Sequence, residues 1–366
     1  MSEELSPRPH HTHESQEPRE GTADAPPAGD AGAPSLDRRR LLSGMAGLSL
    51  GGGLALSALT DHTLASEEEK RLTEEIDALS SPTPKPPVFE TLADLKAPMP
   101  TAKLGNVELS RVVMGGNLMN GFAHSRDLIY VSRLITAYHD EQRVFETFWL
   151  AESCGVNAII TNPILGPRIN AYWEKAGGKI QFVAQPRGTN ASDLVDSIKY
   201  SIDHGACAAY VQGANTDAMA RQGRFDLLAL ALETIRDGGL PAGLGAHALS
   251  TLQGCVAAGL EPDFWMKTFH HHNYWSARPD EEYADNRWCE DPEETIEFMK
   301  EREEPFIAFK VLAAGAIHPR DGLRYAFGNG ADFVCLGMFD FQVVEDVNYA
   351  LAALEAAQQR ERPWRA

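Results

Sequence analysis

The chain has 366 residues, 43% apolar and 23% charged, enough to bury a large core in one large domain or two smaller ones. Its formal net charge of −19 argues against nucleic acid as a partner, because affinity for a phosphate backbone comes mainly from clustered Lys and Arg. Five cysteines, Cys154, Cys207, Cys255, Cys289 and Cys335, are odd in number and lie mostly among apolar or small residues, which fits buried free thiols better than a disulfide framework.

Residues 1–36 are rich in Pro, Glu, Ser, Gly and His and hold almost no large apolar side chains, so they read as a disordered leader. Residues 37–65 follow the pattern of a twin-arginine signal peptide. Arg38, Arg39 and Arg40 stand immediately before the moderately apolar, Gly-rich run Leu41 to Leu59. Gly51, Gly52 and Gly53 make that run a poor membrane span, so contact with a membrane is expected only through the signal segment. The pattern predicts export in folded form by the Tat translocase to the periplasm or cell envelope. Residues 66–99 read as a linker punctuated by Pro, and the folded domain is expected over 100–366.

Within that domain, short apolar runs alternate with segments of helical period. Strands are expected over Arg111–Gly115, Ala158–Thr161, Ile180–Ala184, Ala208–Gln212, Ala242–Ala246, Phe264–Thr268, Phe306–Val311 and Phe333–Gly337. Several intervening segments begin at Ser or Asp and end at Gly, as helix caps require. This order predicts a (β/α)8 TIM barrel with an N-terminal hairpin, with an open doubly wound sheet as the alternative.

A barrel places its working residues at the C-terminal ends of the strands. Those positions hold Asn117, Asn162, Gln185, Gln212, His247, Lys267, Lys310 and Asp340, a run of polar ends that predicts a polar pocket for a small-molecule substrate. Lys267 and Lys310 sit inside otherwise apolar runs, "FWMKTF" and "FIAFKVLAAG". If they face inward they are suited to acid/base work or to anchoring an anionic group. In "MKTFHHHNYW", strand alternation puts His271 on the same side as Lys267 and turns His270 and His272 away. His247, His271 and a carboxylate such as Asp340 would be the donors of a divalent metal, the less favoured reading because no HExxH or second carboxylate at helical spacing accompanies them.

Several segments together resemble the aldo/keto reductases. "KLGNVELSRVVMGG" is similar to that family's opening hairpin and first strand, "AESCGVNAIITNPILG" to its first helix, second strand and following loop, and "FIAFKVLAAGAIHPRDGLRYAF" and "GADFVCLGMFDFQVVEDVNYAL" to its last two βα units. The resemblance implies an oxidoreductase that binds NAD(P) through Gly337, Gln342 and Glu345, although the acidic "MFDFQVVED" disfavours NADPH. It also breaks at the catalytic tetrad. The family's Asp, Tyr, Lys and His fall on Ile160, Leu165, Gln185 and Gln212, none of which can replace the original proton chemistry.

Three functions follow. The first is an exported enzyme acting on a small carbonyl compound or carbohydrate, with Lys267, His247, His271 and Lys310 as acid/base and anchoring groups. The second is a metal-assisted sugar isomerase or lyase on the same barrel. The third is a non-catalytic binding protein on a reductase scaffold.

Overall fold

The computed structural model describes residues 89–124, 128–274, 276–277 and 286–366. The expected leader, the twin-arginine segment and the linker through residue 88 lie outside the described residues, as do Arg126, Asp127 and Trp275. Among the described residues no helix is long and apolar enough to cross a membrane.

The hairpin comes first, with β1 (Thr101–Leu104) paired antiparallel to β2 (Val107–Ser110). Eight parallel strands follow: β3 (Val112–Gly115), β4 (Ala158–Thr161), β5 (Gln181–Ala184), β6 (Ala206–Val211), β7 (Ala242–Ala246), β8 (Phe264–Thr268), β9 (Phe306–Phe309) and β10 (Phe333–Leu336). They close in chain order, with β10 returning to pair with β3. Closure establishes the TIM barrel and rules out the open sheet. The expected strands agree with these to within one or two residues, and the largest overrun has a local cause. Lys310 takes φ +47°, a left-handed backbone that cannot continue a strand, so β9 stops at Phe309 instead of reaching Val311.

The helices are α1 (Val131–Tyr138), α2 (Glu141–Ser153), α3 (Gly166–Ala176), α4 (Ala191–Asp203), α5 (Gly213–Arg221), α6 (Phe225–Asp237), α7 (Leu249–Ala257), α8 (Pro292–Lys300), α9 (Pro319–Gly328) and α10 (Val343–Ala356). Their ends carry the anticipated chemistry. Asp140 accepts from the Arg143 amide at 2.7 Å to cap α2, and Asn190 accepts from the Asp193 amide at 3.0 Å to cap α4. Within the long connection after β3, Tyr138 at the end of α1 and Arg143 on α2 both bond Asp340 in the loop after β10.

Strand alternation sorts the core into two sets. Val113, Ile160, Val183, Tyr210, Met266 and Phe333 fill the barrel lumen, and Leu104 and Leu109 of the hairpin close its floor. Ile159, Phe182, Leu244, Trp265 and Phe306 point outward and pack with the helices. The lumen-facing glycines of β7 make room for two rings. A Cβ on Gly243 would stand 2.5 Å from Phe264, and one on Gly245 would stand 2.8 Å from Tyr210.

At the N-terminal ends of the strands, fully buried Asp332 bonds Arg360 Nη2 at 2.9 Å and Arg362 Nη1 at 2.6 Å, and it accepts from the amides of Phe306 and Arg365. On α10, Asn348 bonds Glu90, the Asp94 carbonyl and the Lys96 amide, tying residues 90–96 to the barrel.

Candidate active site at the barrel mouth

His247 follows β7 on the same alternation as Gly243 and Gly245, so its ring stands at the C-terminal mouth, edge-on to lumen-facing Phe309 at 5.4 Å between centroids. Its Nδ1 lies 2.8 Å from Asp217 Oδ2, and its backbone amide donates to the same carboxylate at 3.1 Å. Asp217 is on α5 and only 5% exposed. Burial favours its neutral form, but hydrogen bonds from His247 and Thr251 outweigh that cost and hold its carboxyl below the usual range. An ionised Asp217 can only accept, so Nδ1 donates to it, and in the neutral imidazole the lone pair belongs to Nε2. Nε2 has no hydrogen-bond partner among the described residues, and the side chain is 29% exposed. Gly213, which opens α5, admits the ring: a Cβ there would stand 3.0 Å from His247 Cε1.

Asp217 is the main residue that strand-end reasoning misses. It lies on a helix, five residues past Gln212, and no periodicity distinguishes it from a solvated carboxylate. Tyr210 is the other. It sits in the lumen on β6, and its hydroxyl donates to Gln185 Oε1 at 3.0 Å. Gln185 and Gln212 directly follow β5 and β6, with Gln212 on the strand next to that of His247, and both are partly exposed. Asn162 ends β4, but its Oδ1 accepts from the Ile164 amide at 3.0 Å and caps a short helical turn. Asn117 is exposed after β3, and its carbonyl accepts from the Asn120 and Phe122 amides.

Two of the expected acid/base residues are elsewhere. Lys267 shares the alternation of Trp265 and Phe269, which pack among the helices, so it lies on the outer side of β8 and Thr268 takes the inward position. It is 1% exposed, and its Nζ donates to His247 O at 2.5 Å, Thr268 Oγ1 at 2.8 Å and Thr268 O at 3.0 Å. Burial pulls its ammonium below the ordinary lysine value, against the attraction of Asp217 and Asp291. His271 does share the side of Lys267, but that side is the outer one. Its ring meets Tyr325 of α9 at 5.2 Å, and its Nδ1 accepts from the Asn273 amide.

The other two histidines of the run are structural. His270 is fully buried, bonds the His271 carbonyl through Nδ1, and accepts from the Trp288 and Cys289 amides through Nε2 at 3.1 Å each. His272 Nε2 donates to the Cys289 carbonyl at 2.6 Å. Together they fasten Trp288 and Cys289 to the segment that follows β8.

The strand pattern predicts Lys310 facing inward on the seventh barrel strand, but that place is taken by Phe309 and Lys310 lies just past the strand end; its Nζ lies 2.6 Å from His124 Nε2 and stands 3.8 Å over the Trp288 ring. Ala313 and Ala314 also adopt left-handed backbones in this loop, at φ +47° and +56°. Three such residues within five mark a conformation that surrounding contacts impose.

Asp340 bonds Tyr138 and Arg143, not a histidine, and among the described residues no three His, Cys, Asp or Glu side chains assemble to hold a metal ion. At the proposed cofactor end, Gly337 is exposed, Gln342 Oε1 accepts from the Phe339 amide at 3.2 Å, and Glu345 Oε1 accepts from the Tyr349 hydroxyl at 2.7 Å. Of the tetrad positions, Ile160 lies in the lumen core and Leu165 is buried against the helices, so neither presents a proton donor. Ile160 and Leu165 therefore supply none of the proton chemistry of the reductase tetrad.

No protein-family model and no curated protein matches the chain. Among solved structures it is similar to a truncated 3-deoxy-D-arabino-heptulosonate 7-phosphate synthase from Thermotoga maritima, at 14% identity over 71% of this chain and 93% of that one, with a TM-score of 0.45. It is also similar to dihydrodipicolinate synthase from Aquifex aeolicus, at 13% identity over 61% and 72% of the two chains and a TM-score of 0.40. A third is the N-acetylneuraminic acid synthetase from Leptospira borgpetersenii, at 11% identity over 73% and 94% and a TM-score of 0.39. The likeness is one of barrel architecture.

The mouth therefore combines an oriented imidazole, two neutral amides at the ends of β5 and β6, and the Lys310 amine just past the end of β9. Such a set can accept and return a proton and can hydrogen-bond oxygen atoms of a bound molecule.

Proposed function

We propose that the chain is an enzyme that moves protons on a small carbonyl compound or carbohydrate, in the manner of an isomerase or lyase, with His247 as general base and acid. The Asp217–His247 hydrogen bond carries this reading. A buried, ionised carboxylate on Nδ1 fixes the tautomer whose Nε2 can take a proton, and it stabilises the imidazolium that results. Nε2 removes a proton from the carbon beside a carbonyl, whose C–H electron pair becomes the C=C bond of an enediolate, or from a β-hydroxyl, whose O–H pair becomes a new C=O bond as the Cα–Cβ bond breaks and its pair forms the enolate of the second fragment. The imidazolium then returns the proton to carbon. Asp217 acts through His247 and is a positioning residue.

The resemblance to aldo/keto reductases favours a carbonyl substrate, but NAD(P) binding through Gly337, Gln342 and Glu345 rests on that resemblance alone. Export to the periplasm or envelope by the twin-arginine route rests on residues 35–59 and belongs to the same proposal.

The test is isotope exchange. The protein is incubated in deuterium oxide with dihydroxyacetone, glyceraldehyde or fructose, and loss of the proton beside the carbonyl is followed by NMR. Wild type accelerates exchange and His247→Asn does not. Equal rates for both proteins and buffer defeat the acid/base reading, and release of NAD(P) on denaturation would move the choice to the reductase.

A further inference from the structure

We propose that Gln185 is the residue that grips the substrate's carbonyl oxygen, and that Tyr210 is the positioning residue that aims it. This rests on the acid/base reading of the same mouth and names the polar group that works with His247.

Tyr210 is 3% exposed and lies among apolar lumen side chains, with its hydroxyl 3.0 Å from Gln185 Oε1. A buried hydroxyl proton needs an acceptor, and no other acceptor reaches it among the described residues. If the Gln185 amide were reversed, its NH2 would face the hydroxyl and the tyrosine proton would be buried without a partner, which costs more than either orientation of an exposed amide. The Tyr210 proton therefore fixes Oε1 toward the lumen and turns Nε2, with its two N–H groups, toward the mouth. Nε2 has no partner among the described residues.

The backbone supports the same aim. Gly245 leaves the space that the Tyr210 ring occupies, and the Gln185 backbone N–H donates to the Thr161 carbonyl at 2.9 Å, which anchors the end of β5. Gln185 stands two strands from His247, with β6 between them. A donor and a base that share one mouth suit a molecule carrying a carbonyl oxygen beside an acidic carbon. When His247 takes the proton, negative charge gathers on that oxygen, and a neutral amide donor stabilises it without needing to ionise. The substrate class is a neutral α-hydroxycarbonyl compound.

The experiment uses 15N-labelled protein and dihydroxyacetone. The Gln185 side-chain NH2 pair is identified as the one missing in Gln185→Glu. Titration is expected to shift this pair together with the His247 ring resonances. In the exchange assay, Gln185→Glu presents a carboxylate acceptor in place of the donor and should lower kcat about 100-fold. Tyr210→Phe should lower it about tenfold while the protein still melts cooperatively, because the donor remains but is no longer aimed. If the His247 resonances move and the Gln185 pair does not, the assignment of Gln185 is overturned and the acid/base reading stands. If neither moves, both are overturned. If Tyr210→Phe leaves the shift and kcat unchanged, the aiming role is overturned.

Discussion

Asp217 reaches His247 from a different βα unit. The base ends β7, whereas the carboxylate that orients it, 2.8 Å from Nδ1, belongs to the helix after β6. The pair forms only when those two units pack side by side, so its integrity reports on both function and fold. Asp217→Ala should abolish most of the isotope exchange, by a factor of about 100 to 10,000, and should cost about 1–3 kcal/mol of stability as the His247 amide and Nδ1 lose their acceptor. Exchange rates and urea melts check the two effects. Because the folded carboxyl is held below its ordinary value, its contribution is present above a pH of about 4 and is lost as pH falls through the folded value. The variant should therefore lack that part of the acid-induced loss seen in wild type.

Lys267 supports the site from behind. Its Nζ holds the His247 carbonyl and both oxygens of Thr268, so Lys267→Met should leave buried acceptors short of a donor and cost about 2–4 kcal/mol. The folded variant should keep exchange activity to within about tenfold, since no catalytic contact is removed. A much larger loss of activity at full occupancy of the folded state would place Lys267 in the chemistry.

His270 gives the protein an acid-sensitive joint. Burial pushes its imidazole down to about 4, aided by His272 and Lys267 and opposed by the bond to the His271 carbonyl. The unfolded chain binds this proton near 6.5 and the folded one near 4, so stability is full above about 6.5 and falls as pH drops toward 4. The loss amounts to about 3 kcal/mol over that interval. His270→Gln should begin less stable at neutral pH and show a flatter slope between those values in thermal melts.

Arg362 is a stability residue remote from the mouth. It bonds Asp332 and four backbone carbonyls while 2% exposed. Arg362→Ala leaves a buried carboxylate with one fewer partner and should cost about 3–5 kcal/mol, read as a lower denaturant midpoint. The KM for exchange should stay within about twofold, because the affected network lies at the opposite ends of the strands.

The sequence by itself determined the architecture and the ring of polar strand ends. Eight apolar runs separated by capped helical segments admit few arrangements, because each strand must bury both faces and each helix one, and those demands are written locally in periodicity and turn residues. His247, Gln185, Gln212 and Lys310 were legible for the same reason: each ends or immediately follows a strand. Tertiary structure alone decided which side Lys267 and His271 occupy. Alternation fixes their relation to each other but not to the lumen, and a buried lysine satisfied by three oxygens suits the outer layer as well as the inner one. It also decided that Asp217 belongs to His247 and Tyr210 to Gln185. Both pairs join residues more than 20 positions apart, on elements brought together only when neighbouring βα units pack side by side, and long-range pairing leaves no local periodic mark.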